Sequence, residues 1–193
     1  MTTFEVMEEA LRLLLVQKGI LSDDEIARQI DAMDSRSPAL GAKVVARAWT
    51  DPGYKVRLMG DARSALAEIG VDIGALAEFK VIENTPETHN VVVCTLCSCY
   101  PWPLLGLPPN WYKDPAYRSR VVREPRTVLA EMGLELDPSV AITVWDSSAE
   151  NRYFVLPQRP PGTDDMSEEE RAALVTREAM VGVSVVASPG GAA

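Results

Sequence analysis

The chain has 193 residues, of which 47% are hydrophobic and 24% charged, and its formal net charge is -9. These values predict a soluble globular chain with room for one domain and an appended arm. The negative charge argues against nucleic acid or an anionic membrane as a partner, because both need a basic face. No apolar run approaches the roughly 20 residues of a membrane-spanning helix, and the acidic N-terminus is unlike a secretory signal, so we expect a cytoplasmic location.

The first third of the chain carries helical patterns. Apolar residues at helical spacing predict helices over 4–18, over 23–33, from Pro38 towards Trp49, and from Asp51-Pro52 to about Ile69. Gly19 and Gly70 are helix stops, and Ser22 with Glu25 forms a capping-box pattern at the start of the second helix. We therefore interpret residues 1–70 as a helical N-terminal arm.

The pattern changes after residue 70. Short β-branched or alternating runs predict strands at Val81-Ile82, Val91–Val93, Val140–Val144, Tyr153–Leu156 and Val181–Val186. Helices are expected over 110–119, 123–132 and 167–176, whereas 101–109 is too rich in proline for a regular element. The fold class is therefore α+β, with the arm followed by a layered α-β-β-α domain over 71–193.

All three cysteines of the chain lie within six residues, with the spacing C-x2-C-x-C. Cys94, Cys97 and Cys99 are too close together to form a disulfide framework, and clustered thiols in a reducing compartment indicate metal binding or redox chemistry. A structural zinc site normally uses four ligands, often as two separated C-x2-C pairs, and a second pair is missing. The cluster therefore favours a different metal chemistry.

Ser98 alone separates Cys97 from Cys99, which draws the backbone into any site that uses both sulfurs. The two sulfurs and the amide nitrogens of Ser98 and Cys99 form small chelate rings around one ion, and together they make a square plane. Cys94 can add an axial sulfur, which leaves a sixth position open. Anionic amide ligands require a strongly polarising ion, so the geometry favours a trivalent metal. An open position on a Lewis acid is a catalytic arrangement.

The stretch from His89 to Arg126 closely resembles the α subunit of nitrile hydratases. The matching segments are Ala46–Trp49, Cys94–Pro103, Gly106–Lys113, Val122–Arg126, Val144–Glu150, Tyr153–Pro157 and Arg159-Pro160. The resemblance covers most of the chain. It departs at Ile73–Leu76, where many members carry Gly-Pro-Gln-Gly, and this puts the local hydrogen-bond network and the substrate range in doubt.

The resemblance implies a metal bound by Cys94, Cys97, Cys99 and the backbone amides of Ser98 and Cys99. Cys97 would be oxidised to sulfinate and Cys99 to sulfenate. Thr95 and Tyr100 look like the cobalt branch, so we expect non-corrin Co(III), with Fe(III) as the alternative. The reaction would hydrate a nitrile to its amide, with attack either by water or first by the Cys99 oxygen.

The same resemblance implies further site residues and a partner. Ser98 would contribute its amide and a hydroxyl hydrogen bond, and Trp102 would line the substrate pocket, although plain core packing is an equal interpretation. Arg123 and Arg126 either surround the oxidised sulfurs or are ordinary surface charges. The active site would lie between this chain and a β subunit that supplies arginines, with residues 100–112 facing the interface.

Other functions remain open at this point. The metal-bearing subunit of thiocyanate hydrolase shares the cysteine loop, and a non-catalytic metal-binding or iron–sulfur protein is an alternative from another class. A zinc knuckle would use His89 as a fourth ligand, but the more ordinary role for this lone histidine is a structural hydrogen bond. An α subunit without its partner would be folded but nearly inactive.

Overall fold

A computed structural model describes residues 2–73 and 78–190. The elements are α1 (Thr3–Gln17), α2 (Asp23–Asp34), α3 (Pro38–Thr50), α4 (Pro52–Gly60), α5 (Ala62–Glu68), β1 (Glu78–Glu83), β2 (Thr88–Val93), α6 (Trp102–Leu105), α7 (Asn110–Lys113), α8 (Pro115–Arg120), α9 (Pro125–Glu131), β3 (Ala141–Asp146), β4 (Asn151–Leu156), α10 (Glu168–Leu174) and α11 (Arg177–Val181). This mixture of helices and short strands confirms the α+β class. Within the described ranges, no helix has the length and apolarity needed to cross a membrane.

A first compact unit ends at Ser35 and contains α1 and α2. The capping box at the start of α2 is confirmed, because the Ser22 amide donates to Glu25 Oε2 at 2.8 Å and the Glu25 amide donates to Ser22 Oγ at 3.2 Å. Thr2 caps α1 in the same way. Neither helix buries a residue, and Phe4 is 82% exposed, so the apolar stripe of this unit is exposed.

The second compact unit begins at Arg36. In this unit α3 packs on α10 and α11, while α4 and α5 pack on β1. Val44, Val45 and Ala48 of α3 are buried in the core. The functional division at residue 70 stays a prediction, and the packing joins the helices from Pro38 onwards to the strands. Of the segment Ile73–Leu76, where the sequence departs from the nitrile hydratase pattern, positions 74–76 lie outside the described residues.

The four described strands form two parallel pairs, β1 with β4 and β2 with β3. Their sequences predict strands because β-branched side chains pack well on a pleated surface, and Val91, Val92 and Val93 of β2 are fully buried. In the β2–β3 pair, Val93 lies opposite Asp146. The carboxyl ends of both strands therefore meet at one edge, and the cysteine loop leaves β2 there.

Two predicted helices are divided by capping residues. The fourth predicted helix is interrupted at Asp61, whose side chain accepts from the Ser64 amide and begins α5. The helix expected over 110–119 is interrupted at Asp114, which caps α8 before Pro115. Aspartate in these positions competes for backbone donors, which favours a helix start over a continuous helix. The proline-rich segment contains one short helix, α6, which the sequence analysis did not predict.

The predicted last strand over Val181–Val186 is wrong. The Thr176 side chain accepts from the Ala179 amide and begins α11, which ends at Val181. Gly182 follows with φ +89°, and a Cβ atom there would lie 1.9 Å from the carbonyl oxygen of Asn90. The chain therefore turns tightly against β2 at this point, and a β-branched sequence alone does not reveal such a contact.

His89 is a structural residue, as its ordinary interpretation predicted. Its side chain is buried, and Nε2 lies 2.8 Å from the carbonyl oxygen of Gly182. Nδ1 lies 3.3 Å from the Asn84 side-chain nitrogen. Since a carbonyl only accepts and an amide NH2 only donates, the ring is neutral with its proton on Nε2. Burial lowers the pKa of His89 below its ordinary value.

We expect His89→Gln to reduce the acid sensitivity of the fold. The lowered pKa means that the unfolded chain binds this proton more readily, so the stability contribution is complete above the ordinary pKa of about 6.5 and declines as the pH falls towards the folded-state value. The loss is at most about 1.4 kcal/mol per pH unit. Urea unfolding between about pH 5 and pH 8 measures it. Parallel stability profiles for both proteins would contradict this account.

Candidate metal centre

The three cysteine sulfurs converge at the end of β2. Cys94 is fully buried, Cys99 is half-buried, and Cys97 is exposed. The Cys94 and Cys97 sulfurs are 3.4 Å apart, and those of Cys97 and Cys99 are 3.2 Å apart. All three lie within 4.8 Å of one another, and the described residues contain no other such group of three or more His, Cys, Asp or Glu ligand atoms.

Three different side chains hold the loop that carries these sulfurs. Asp146, at the end of β3, accepts from the Thr95 amide at 2.9 Å and from the Thr95 hydroxyl at 2.5 Å. Arg118 of α8 donates from Nη1 to the Cys97 carbonyl at 2.5 Å. The Tyr112 hydroxyl of α7 donates to the carbonyl of residue 99 at 2.7 Å. The loop is therefore fixed at its start, middle and end.

Tight packing of the thiols separates their acidities. Hydrogen bonds from Cys99 and then Cys94 lower the pKa of Cys97 to about 7. Burial, followed by the hydrogen bond with Cys97, raises the pKa of Cys99 to about 12, and the positive charge of Arg152 acts in the opposite direction. One sulfur therefore ionises near neutral pH while a neighbour retains its proton. An exposed thiolate next to two further sulfurs is ready to bind a soft or borderline metal ion.

The backbone of the loop fits the metal geometry expected from the spacing. The Cys97 amide donates to the Cys94 sulfur at 3.3 Å. The backbone N–H groups of Ser98 and Cys99 lie near the Cys97 sulfur and contribute to its lowered pKa. These two peptide nitrogens therefore lie beside the sulfur cluster. A donor set of three thiols and two such nitrogens can hold a transition-metal ion.

The zinc-knuckle alternative is wrong for His89. This residue lies near the start of β2 and Cys94 follows its end, five positions along an extended chain, or about 16 Å at strand geometry. Ligands of one zinc ion sit within about 2.3 Å of the metal, so no single ion spans that separation. The ring nitrogens are already engaged by Gly182 and Asn84.

Trp102 begins α6 three residues after the last cysteine and is half-buried. One face of its ring carries the guanidinium of Arg36, whose Cζ lies 4.2 Å from the ring centroid. The Trp102 side chain also packs against the hydrophobic core. Trp102 is thus partly core and partly surface beside the loop, and its role as a pocket wall stays a prediction.

The structure does not bring Arg123 and Arg126 to the sulfurs. Arg123 donates to the Ser119 carbonyl at 3.0 Å. Arg126 donates to carbonyls of the turn before β3, including that of Val140 at 2.6 Å. Sequence reasoning missed Arg118, which is the arginine that contacts the loop, although it belongs to the same basic stretch.

Most of the segment 100–112 belongs to the core of this chain. Leu104 and Leu105 are fully buried, and the rings of Tyr100 and Tyr112 meet edge to face with centroids 4.8 Å apart. Leu107 is 55% exposed and faces outwards. Its largest side chains are therefore used internally, and the expectation that the segment faces a partner stays a prediction that concerns its exposed residues.

Comparison with known proteins places this geometry in a family. The family model described as nitrile hydratase, alpha chain, matches residues 2–184. The chain is 57% identical over 182 residues to the low-molecular weight cobalt-containing nitrile hydratase subunit alpha of Rhodococcus rhodochrous. This alignment covers 94% of this chain and 88% of that relative.

Two further comparisons extend the family. A solved structure of the Fe-type nitrile hydratase of Comamonas testosteroni Ni1, a variant with two histidines replaced by alanine, superposes on this chain with a TM-score of 0.90 at 43% identity. The superposition covers 100% of this chain and 98% of that chain. Thiocyanate hydrolase subunit gamma of Thiobacillus thioparus is 42% identical to this chain. The alignment covers 94% of this chain and 79% of that relative. The match of the family model over nearly the whole length, together with these identities, shows that the chain belongs to the nitrile hydratase α-chain family.

Proposed function

We propose that this chain is the metal-carrying subunit of a nitrile hydratase and that it binds one non-corrin Co(III) ion. The ligands are the sulfurs of Cys94, Cys97 and Cys99 and the amide nitrogens of Ser98 and Cys99. The observation that carries the proposal is the convergence of three sulfurs within 4.8 Å, with two peptide nitrogens beside them. The relative that shares 57% of its residues is named as cobalt-containing, which supports cobalt over Fe(III).

The cysteines differ in exposure, and this supports different roles. Bound at this site, a trivalent ion supplies Lewis-acid polarisation of the nitrile group. In the proposal a molecular oxidant such as dioxygen, acting during maturation, oxidises Cys97 to sulfinate and Cys99 to sulfenate, while buried Cys94 remains a thiolate. The oxygen on Cys99 and the hydroxyl of Ser98 border the substrate position, and Trp102 forms its wall. A water molecule adds across the C≡N bond, and the product is the amide.

A β subunit is the proposed partner. Leu96, at the tip of the cysteine loop, is 88% exposed, and Leu107 is also turned outwards. Apolar side chains beside an exposed charged centre indicate a surface that another chain covers. Oxidised sulfurs need cationic partners when they are buried. Arg123 and Arg126 bond elsewhere and Arg118 acts on the backbone, whereas the charge of Arg152 reaches Cys99. We therefore propose that cations from the β subunit join Arg152 in neutralising the sulfur oxygens.

Thiocyanate hydrolase activity is the second candidate, because its γ subunit is 42% identical to this chain. The identity is higher, at 57%, for the nitrile hydratase relative, and this favours the nitrile reaction. Both activities use a triple bond to nitrogen, so a direct comparison of substrates separates them.

We expect the chain, co-produced with a β subunit in cobalt medium, to hydrate small nitriles to amides with little turnover of thiocyanate. About one cobalt per α chain and a mass gain of three oxygen atoms on the loop peptide should accompany activity. Nitrile and thiocyanate assays, elemental analysis and peptide mass spectrometry give these readouts. The proposal fails if the assembled protein holds cobalt but does not hydrate nitriles and has no oxidised cysteines.

Ser98→Pro should abolish cobalt binding while all three sulfurs remain. Proline has no amide hydrogen to lose, so this nitrogen cannot serve as an anionic ligand. The matched control, Ser98→Ala, keeps the amide and loses only the hydroxyl, so it should retain about full cobalt content with reduced turnover. Metal content and circular dichroism are measured on both. Equal cobalt in the two variants would rule out ligation by the residue 98 nitrogen.

In the metal-free chain, Cys97 should react with iodoacetamide first and Cys94 last. Cys97 combines exposure with a pKa of about 7, whereas the pKa of Cys99 is raised to about 12 and Cys94 is buried. Peptide mass spectrometry at timed intervals identifies the order. Cobalt loading should suppress all labelling in the assembled enzyme. Preferential labelling of Cys94 would contradict the arrangement of the loop.

A further inference from the structure

Arg118 is the one cationic side chain of the described residues that donates a hydrogen bond to the backbone of the cysteine loop, at 2.5 Å from Nη1 to the carbonyl oxygen of Cys97. Its helix is held firmly. Asp114 caps the start of α8, and the Tyr117 hydroxyl donates to the Val92 carbonyl at 2.9 Å, on the strand that leads into the loop. The guanidinium is thus fixed relative to the cysteines.

Peptide geometry turns this contact into a constraint on a metal ligand. The carbonyl of residue 97 and the amide of residue 98 belong to one planar trans peptide. The C=O bond and the N–H bond of this peptide therefore point in opposite directions. Arg118 binds the oxygen from outside. The N–H of Ser98 then lies on the opposite side of the peptide, and it is close enough to the Cys97 sulfur to help lower the pKa of that thiol. Holding the oxygen therefore orients the nitrogen.

The contact is also electrostatic. When an amide nitrogen acts as an anionic ligand, resonance places part of the negative charge on the carbonyl oxygen of the same peptide. For the Ser98 nitrogen, that oxygen belongs to Cys97 and receives the Arg118 hydrogen bond. A hydrogen bond between a cation and an anionic oxygen is roughly twice as strong as a neutral one. Arg118 therefore stabilises the charged peptide more than the neutral one.

We propose that Arg118 is a positioning residue for the metal site, which orients the peptide between residues 97 and 98 and compensates the charge of the Ser98 nitrogen as a ligand. The inference rests on the proposed function, since it requires a metal bound through this nitrogen. It assigns Arg118 to the backbone of the loop and leaves the sulfur oxygens to other cations.

Tyr112 offers a matched control on the same loop. Its hydroxyl donates to the carbonyl of Cys99 at 2.7 Å. That peptide ends at the nitrogen of Tyr100, which is not among the proposed ligands, and the donor is neutral. Tyr112→Phe removes one loop hydrogen bond without altering the charge on either ligand peptide. It therefore reports what loosening the loop does by itself.

The test uses the cobalt-loaded complex with its β subunit and compares Arg118→Met, Arg118→Lys and Tyr112→Phe. We expect Arg118→Met to lose cobalt to EDTA at least about tenfold faster than the unaltered complex and to shift the sulfur-to-cobalt charge-transfer absorption. Arg118→Lys should restore most of both properties, because it keeps the positive charge. Tyr112→Phe should leave the position of the absorption band unchanged. If Arg118→Met does not assemble, Arg118→Gln replaces it with the same expected direction.

Unchanged cobalt retention and absorption in Arg118→Met would overturn the inference, and so would an Arg118→Lys complex no better than the methionine variant. An equal shift of the absorption band in Tyr112→Phe would also overturn it, because any loosening of the loop would then suffice. Failure of the proposed function looks different. In that case the unaltered complex itself holds no cobalt or lacks the charge-transfer absorption.

Discussion

The site depends on the single residue that separates Cys97 from Cys99. With only Ser98 between them, two sulfurs lie 3.2 Å apart, and the peptide nitrogens of Ser98 and Cys99 lie beside the Cys97 sulfur. Cys94 adds a third sulfur from the end of β2. In the proposed site a metal ion bound by these sulfurs would also bind backbone nitrogen, and this would set the site apart from sulfur-only or sulfur-and-imidazole zinc sites.

The surrounding fold holds that loop with one contact of each charge type. An anionic side chain, Asp146, binds an amide and a hydroxyl at the start of the loop. A cation, Arg118, and a neutral hydroxyl, that of Tyr112, bind two carbonyls further along. The three contacts come from β3, α8 and α7, so the loop is rigid only when these separate elements are packed. Parallel pairing of β2 with β3 places the first contact, because both strands end at the same edge.

The local features of the structure were predictable from sequence and the long-range ones were not. The cysteine cluster and the Ser22 capping box depend on residues within a few positions, and both are confirmed. By contrast, Arg118 reaches Cys97 across 21 positions, and nothing in its sequence context distinguishes it from Arg123. The failed strand after Val181 has the same origin, since its backbone is shaped by close approach to Asn90. Spacing describes neighbours along the chain, whereas packing decides which distant residues meet.

The solvent exposure of Cys97 has a consequence for how such a chain matures. A thiolate that faces solvent reacts with dissolved oxidants as readily as with a metal ion, and the final oxidation product of cysteine, the sulfonate, is irreversible. Capture of the ion must therefore outpace uncontrolled oxidation in every newly made molecule. In the proposed enzyme, a chain whose exposed thiolate is oxidised before it binds the ion would lose a ligand.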